Sequence, residues 1–178
     1  MTEPEPLNPS LQLARWLGPL LFVVILALDV VTKEWALATL SGRGAVRVTD
    51  FFNLVLVWNP GISFGVFQSG GEIGRWLLVV LALAISILLV FWLRWEQRFW
   101  PKIAIWLILA GAIGNVADRI RFGAVVDFLD FHAFGYHWPA FNVADSVIVL
   151  GAAILIVDSL FAGSRALRQG GTPSEDDS

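Results

Sequence analysis

The amino-acid sequence predicts a membrane all-α protein with a small β element, in which four spanning helices carry short strands at one face. Three observations predict it. The 178 residues are 57% hydrophobic and 15% charged, with a mean hydropathy of +0.71. A water-soluble domain carries roughly 45–50% apolar and about 25% charged residues, so the excess apolar surface calls for lipid. Four apolar runs approach the roughly 20 residues that cross a bilayer. Nine tryptophans are present, and Trp16 and Trp35 bracket the first run as Trp76 and Trp92 bracket the second. An indole belongs at the membrane interface, where its N–H stays wet. The length suits one domain, and no internal repeat is visible.

The first element is a polar tail, residues 1–14, rich in Pro and Glu in "MTEPEP". The first span is expected from about Trp16 to Leu37. Arg15 before an apolar stretch, with "ALA" at 36–38, also has the outline of a cleavable secretory signal. Asp29, Lys33 and Glu34 argue against that, because they fall between the apolar run and the cut. Residues 41–75 come next, and "AVRVTDFFNLVLVWN" reads as one or two strands by its β-branched and aromatic content. Turn residues follow in "NPGISFG". The second span, Trp76–Leu93, is the clean one, with 18 uncharged residues. A short basic link, "RWEQRFWPK", leads to a third span from about Ile103 to Val116 or beyond. The connection 119–141 holds "HAFGYHWPAF", suited to an interfacial lid at about 121–139. The fourth span is expected from Asn142 to Phe161, and a disordered tail from 163 to 178. The membrane domain is thus 15–162.

Composition excludes some classes of function. A net charge of −3 gives no reason to expect a nucleic-acid partner. The absence of cysteine rules out disulfides, thiolate metal sites and cysteine nucleophiles. His132 and His137 lack a metal-ligand pattern, and the glycine-rich pieces lack phosphate-loop spacing. No metal and no cofactor are expected.

What remains is a set of charges in greasy surroundings. Three of the four spans carry ionisable residues: Asp29 and Lys33, then Asp118, then Asp145 and Asp158. Charge at bilayer depth costs about 3 kcal/mol or more per group, so these residues mark a polar site between helices. Asn115 and Asp118 are three apart and share a helix face, and Asn142 and Asp145 repeat the spacing. Antiparallel third and fourth helices would bring Asp127 and Asp145 to one membrane face. Close carboxylates cannot both ionise easily, so one keeps a proton and the pair supplies an acid and a base. Each residue also has a structural reading. Asn142 and Asp145 are a plausible helix cap; Asp118 can pair with Arg119; Asp29 and Lys33 suit an i,i+4 pair. Asp130 can be a solvated loop residue and Asp158 a helix-end charge. Spacing alone leaves a peptidase, a small proton-coupled carrier using the same Asp residues as a relay, and an assembly factor all open. Orientation is open too: Lys and Arg divide six against six between the two faces.

Four blocks carry a resemblance. "DVVTK" at 29–33, "WNPGISFG" at 58–65, "GNVADRIRFGAVVDF" at 114–128 and "FNVADSVI" at 141–148 resemble, in order, those of the lipoprotein signal peptidase (signal peptidase II) family of aspartyl membrane peptidases. One local departure is at Ile62 or Ser63, where many members have a small residue. The resemblance implies an enzyme of the bacterial inner membrane that removes signal peptides from prolipoproteins before a diacylglyceryl-modified cysteine. It implies Asp127 and Asp145 as the catalytic pair, and Asn59, Arg119 and Asn142 as substrate-binding positions. Asp29, Lys33, Asn115 and Asp118 match the supporting network. It further implies a periplasmic β-sheet, a short periplasmic helix that closes over the site, cytoplasmic tails, membrane lipid as surroundings, and a monomer.

Overall fold

The computed structural model describes residues 9–61 and 71–169. Four long helices cross one another, and a four-stranded antiparallel sheet sits at one end of them. The first helix, α1, spans Pro9–Leu40. It starts earlier than hydropathy suggests because Pro9 stands in its first turn, where a missing N–H costs nothing and φ is already helical. Residues 9–14, expected as part of a polar tail, are therefore helical. The helix α2 is Gly71–Trp95, α3 is Phe99–Phe122, and α4 is Val143–Gln169. The expected disordered tail from residue 163 is likewise shortened, since α4 continues to Gln169; residues 1–8 and 170–178 lie outside the described residues. All four helices are long and apolar enough to span a bilayer, as Leu11–Leu40, Gly71–Trp95, Phe99–Phe122 and Val143–Phe161. The protein is a multi-pass membrane protein.

The third helix is the centre of the bundle. Ala104, Ile105 and Ala110 are fully buried, with Ile103 and Leu107 packing against Ala14 and Ile25 of α1. The outer helices turn apolar side chains outwards, as Val80 and Leu88 of α2 and Val149 of α4 do, each more than 60% exposed. Such surface is stable only against lipid tails. The α3–α4 contact is made by small residues. A Cβ on Gly111 would lie 2.4 Å from the Ala144 carbonyl oxygen, and one on Gly151 would lie 2.7 Å from that of Ala104. Without Cβ atoms at these two positions the backbones approach closely, as membrane helices do where no hydrophobic force drives them together.

The strands are β1 (Val46–Arg47), β2 (Phe52–Asn59), β3 (Val125–Ala133) and β4 (Tyr136–His137), in the spatial order β1-β2-β3-β4. Helix α3 ends at Gly123, whose left-handed φ of 82° lets its N–H return to the Arg119 carbonyl, and the chain enters β3 two residues later. Strand β2 pairs with β3 so that Asn53 faces Asp130 and Val57 faces Asp127, with a bulge between Leu54 and Val57. Phe128 and Leu129 of β3, with Leu54 of β2, pack on Ala36 and Leu40 at the end of α1. The stretch 45–59 does hold two strands, β1 and β2, as expected. The expected β region up to residue 75 is corrected at its far end, since residues 71–75 belong to α2. The segment 121–139 is not a free lid: it holds the last turn of α3 and the strands β3 and β4, and its backbone is tied into the sheet. A short helix over the site is not among the described elements, and residues 62–70, with Ile62 and Ser63, lie outside them.

Candidate active site

Five elements converge where the helices meet the sheet. Helix α1 contributes Asp29 and Lys33, α3 contributes Asn115, Asp118 and Arg119, and the first turn of α4 contributes Asn142 and Asp145. Strand β3 brings Asp127 and β2 brings Asn59. Asp29, Lys33, Asn115, Asp118, Asp127 and Asn142 are all buried.

Their charges are paired. The Lys33 ammonium lies 2.7 Å from Asp29 Oδ2 and 2.9 Å from Asp118 Oδ2, and donates to Asn115 Oδ1 at 3.2 Å. Each carboxylate of this triad has a second task. Asp29 Oδ1 accepts the Ala144 N–H at 3.0 Å, so a carboxylate of α1 sits at the N-terminus of α4, where helical N–H groups and the dipole favour an anion. Asp118 Oδ2 accepts the Val126 N–H at 3.1 Å and so pins the start of β3. The expected Asp29–Lys33 pair is therefore present. The expected Asp118–Arg119 pair is replaced: residues adjacent on a helix point about 100° apart, so Asp118 turns to Lys33. Arg119 instead donates to the Gly61 carbonyl at 3.1 Å and to the Asn115 carbonyl at 3.4 Å.

The first turn of α4 is a reciprocal cap. The Asp145 N–H donates to Asn142 Oδ1 at 2.9 Å, and the Asn142 N–H donates to Asp145 Oδ2 at 3.3 Å. This bond fixes the Asn142 amide, leaving its Nδ2 to donate to Asp127 Oδ1 at 2.8 Å. Asn142 thus touches both carboxylates. The capping reading and the site reading are one arrangement. Asp127 Oδ2 accepts from Asn59 Nδ2 at 3.0 Å, and Asn59 Oδ1 accepts the Gly61 N–H at 3.2 Å. Asp145 Oδ1 accepts from Asn115 Nδ2 at 2.8 Å.

The two acids differ in setting. Asp127, on β3, is buried, and that burial together with the nearby Asp145 charge pushes its pKa up to about 7, against the opposing pull of Asn59, Asn142 and Lys33. Asp145 stands in the first helical turn among N–H donors. Two carboxyl groups joined by a common amide can give and take protons across a bound carbonyl and a water.

Two acids, Asp130 and Asp158, differ from the sequence reading. Asp130 is no solvated loop residue. It is buried on β3, accepts from Asn53 Nδ2 at 2.9 Å, and lies 2.8 Å from His137 Nδ1. Burial alone would raise its pKa, but His137 and Asn53 hold it below the usual carboxylate value. His132 and His137 stack across β3 and β4 with ring centroids 4.9 Å apart. Asp158 pairs with Arg98, which also pairs with the buried Glu96 and so ties the α2–α3 link to α4. The Asn53–Asp130 contact was the feature the sequence reading missed, and its one local signal was the alternation of "FLDFH".

Comparison with known proteins agrees with the four blocks. The model of the signal peptidase (SPase) II family matches residues 21–161. A lipoprotein signal peptidase of Teredinibacter turnerae is 41% identical over 158 residues, covering 88% of this chain and 92% of that protein. One from Burkholderia thailandensis is 42% identical over 150 residues, covering 83% and 89%. Two solved structures of bacterial membrane enzymes share the fold. One has a TM-score of 0.69 at 29% identity, over 90% of this chain and 93% of that one. The other has 0.71 at 31% identity, over 80% and 92%.

Proposed function

The chain belongs to the signal peptidase II family, and from that premise we propose that it is the aspartyl endopeptidase that releases signal peptides from prolipoproteins, cutting before a diacylglyceryl-modified cysteine. The observation that carries this reading is the shared Asn142. It holds a carboxyl whose pKa lies near 7 beside a carboxylate at a helix N-terminus.

In this mechanism Asp127 carries a proton and Asp145 does not. A water between them gives a proton to Asp145 as its oxygen bonds to the scissile carbonyl carbon. Asp127 donates to the carbonyl oxygen and stabilises the developing negative charge. The tetrahedral centre then expels the amine of the modified cysteine, which takes the proton from Asp145, and both carboxyls return to their starting state. Asn59 and Asn142 keep Asp127 facing the substrate. Arg119 and Asn59, which already hold the backbone at Gly61, are suited to binding peptide carbonyl and N–H groups of the signal peptide. The Asp29–Lys33–Asp118 triad keeps β3 and α4, the two elements that carry the acids, in register with α1 and α3.

A lipid-anchored substrate presents its scissile bond at the membrane surface, which is where water and both acids meet. The reading therefore places the protein in the bacterial inner membrane as a monomer, with both tails cytoplasmic and the site at the periplasmic face. The test is a gel-shift assay with purified protein in detergent micelles and a diacylglyceryl-modified prolipoprotein. Cleavage is expected for the lipidated precursor alone, is expected to survive EDTA, and is expected to be lost in Asp127→Asn and Asp145→Asn while both remain folded. A folded protein that cleaves neither precursor overturns the peptidase reading in favour of a proton carrier.

A further inference from the structure

The stretch 131–141, "FHAFGYHWPAF", contains no Asp, Glu, Lys or Arg, although it runs outside the helix bundle. Three of its aromatic side chains face outwards. Phe134 is 101% exposed, Tyr136 83% and Trp138 68%. The hairpin between β3 and β4 has a two-residue loop, Phe134-Gly135, with φ of 54° and 80°. Positive φ at both loop positions is the turn that suits tight hairpins, and its first position favours Asn, Asp or Gly. A bulky Phe there costs free energy, so an exposed ring at the tip needs a compensating contact.

The polar side of the same hairpin is already engaged. Asp130 holds His137 of β4 and Asn53 of β2, and the Trp138 N–H donates to the Phe131 carbonyl at 2.8 Å. The hairpin is therefore a fixed projection. Its distance from the bilayer is bounded by chain length. Trp138 precedes Asn142, the cap of a membrane helix, by four residues, or at most about 14 Å of extended chain. The sheet also rests on Leu40, the last residue of the α1 span.

We infer that the β3–β4 hairpin is a membrane-seating element, with Phe134, Tyr136 and Trp138 immersed in the interface of the leaflet beside the active site. The ring of Phe134 enters the apolar edge, while the Tyr136 hydroxyl and Trp138 N–H stay among hydrated headgroups. The occupant is a lipid surface recognised by its apolar edge and not by its charge, because no basic side chain lies in the stretch. Asp127 belongs to the same strand, so the seat sets the depth at which that carboxyl meets a membrane-anchored peptide bond.

The native chain has no cysteine, which makes single-site labelling direct. Phe134→Cys, and separately Ala133→Cys, which keeps all three aromatics, carry an environment-sensitive fluorophore in phosphatidylcholine vesicles. Asp50→Cys in the exposed β1–β2 turn is the aqueous control. Brominated acyl chains are expected to quench the label at 133 and 134 and spare that at 50, while iodide does the reverse by several-fold. Adding phosphatidylglycerol or salt should change neither pattern. Replacing Phe134, Tyr136 and Trp138 together by Ser in the Ala133→Cys protein should return its label to water. Iodide quenching at 133 equal to that at 50 overturns the inference. So does shielding that depends on the protein-to-lipid ratio, which would mean that a second copy of the chain covers the hairpin.

Discussion

Asp127 is the residue whose chemistry is most exposed to measurement. Its pKa is pushed up from an ordinary 3.8 to about 7, so the folded protein keeps a proton that the unfolded chain has released between those values. Two consequences follow with definite sign. The stability Asp127 contributes is full below about pH 4, falls as pH rises to about 7 and is gone above, because only inside that window does the folded state hold a proton that the unfolded chain has lost. Asp127→Asn should remove this slope, whatever its offset, in thermal inactivation curves measured in detergent. In the proposed mechanism cleavage requires the protonated form, so kcat/KM should fall about tenfold per pH unit above an alkaline midpoint near 7. A profile flat from pH 6 to 9 would reverse the assigned roles of the pair. At this scale much was legible in advance. The i,i+3 pairs Asn115–Asp118 and Asn142–Asp145 announce shared faces by helical period alone. Asp130 was hardly legible, because its partner Asn53 lies 77 residues away and the alternation of "FLDFH" around it does not say which face is buried.

Among the elements, the start of α4 has the densest set of duties. Its cap, its carboxylate and its contact with Asp29 all lie within Asn142–Asp145, and Asn142 divides its amide between structure and chemistry. Its oxygen caps the helix and its nitrogen orients Asp127. The two duties separate by substitution. Asn142→Ser keeps an N-cap and loses the Asp127 contact, whereas Asn142→Ala loses both. Asn142→Ala should therefore cost about 1 kcal/mol more stability than Asn142→Ser. Both should lower kcat by roughly tenfold or more, since misplacing a reacting group is expensive even when binding survives. Thermal unfolding beside steady-state cleavage checks this, and an active Asn142→Ser enzyme would reduce Asn142 to a cap. The helices were readable from hydropathy, but their ends ran longer than expected, because apolar scoring stops at the membrane surface while hydrogen bonding continues. Strand β3 escaped notice for another reason. Its ladder with β2 joins residues some 66–79 positions apart, and the glycines and aromatics around it resemble a lid.

At the scale of the whole molecule, the question is how a membrane bundle tolerates three buried charges. Lys33 answers it by lying within ion-pair distance of Asp29 and Asp118, so that α1 and α3 share one cation while Asp29 and Asp118 reach on to α4 and β3. Which helix is central was not written plainly in the sequence, though α3 is the least apolar span, as befits a helix covered by protein instead of lipid. Breaking such a network differs from replacing it. Lys33→Met leaves two buried carboxylates facing each other without a cation, which should cost about 3–5 kcal/mol. Adding Asp29→Asn and Asp118→Asn removes the unpaired charge while preserving acceptors for the Ala144 and Val126 N–H groups. The triple variant should then recover most of the lost stability, measured by thermal unfolding in detergent at neutral pH. Its cleavage should differ from the native enzyme's in pH dependence, because Lys33 also pulls the Asp127 pKa down. Without that pull the alkaline limb of the cleavage profile should move to higher pH. If the triple variant is as unstable as Lys33→Met, the network holds the bundle by shape and hydrogen bonding, and its charges are incidental to the fold.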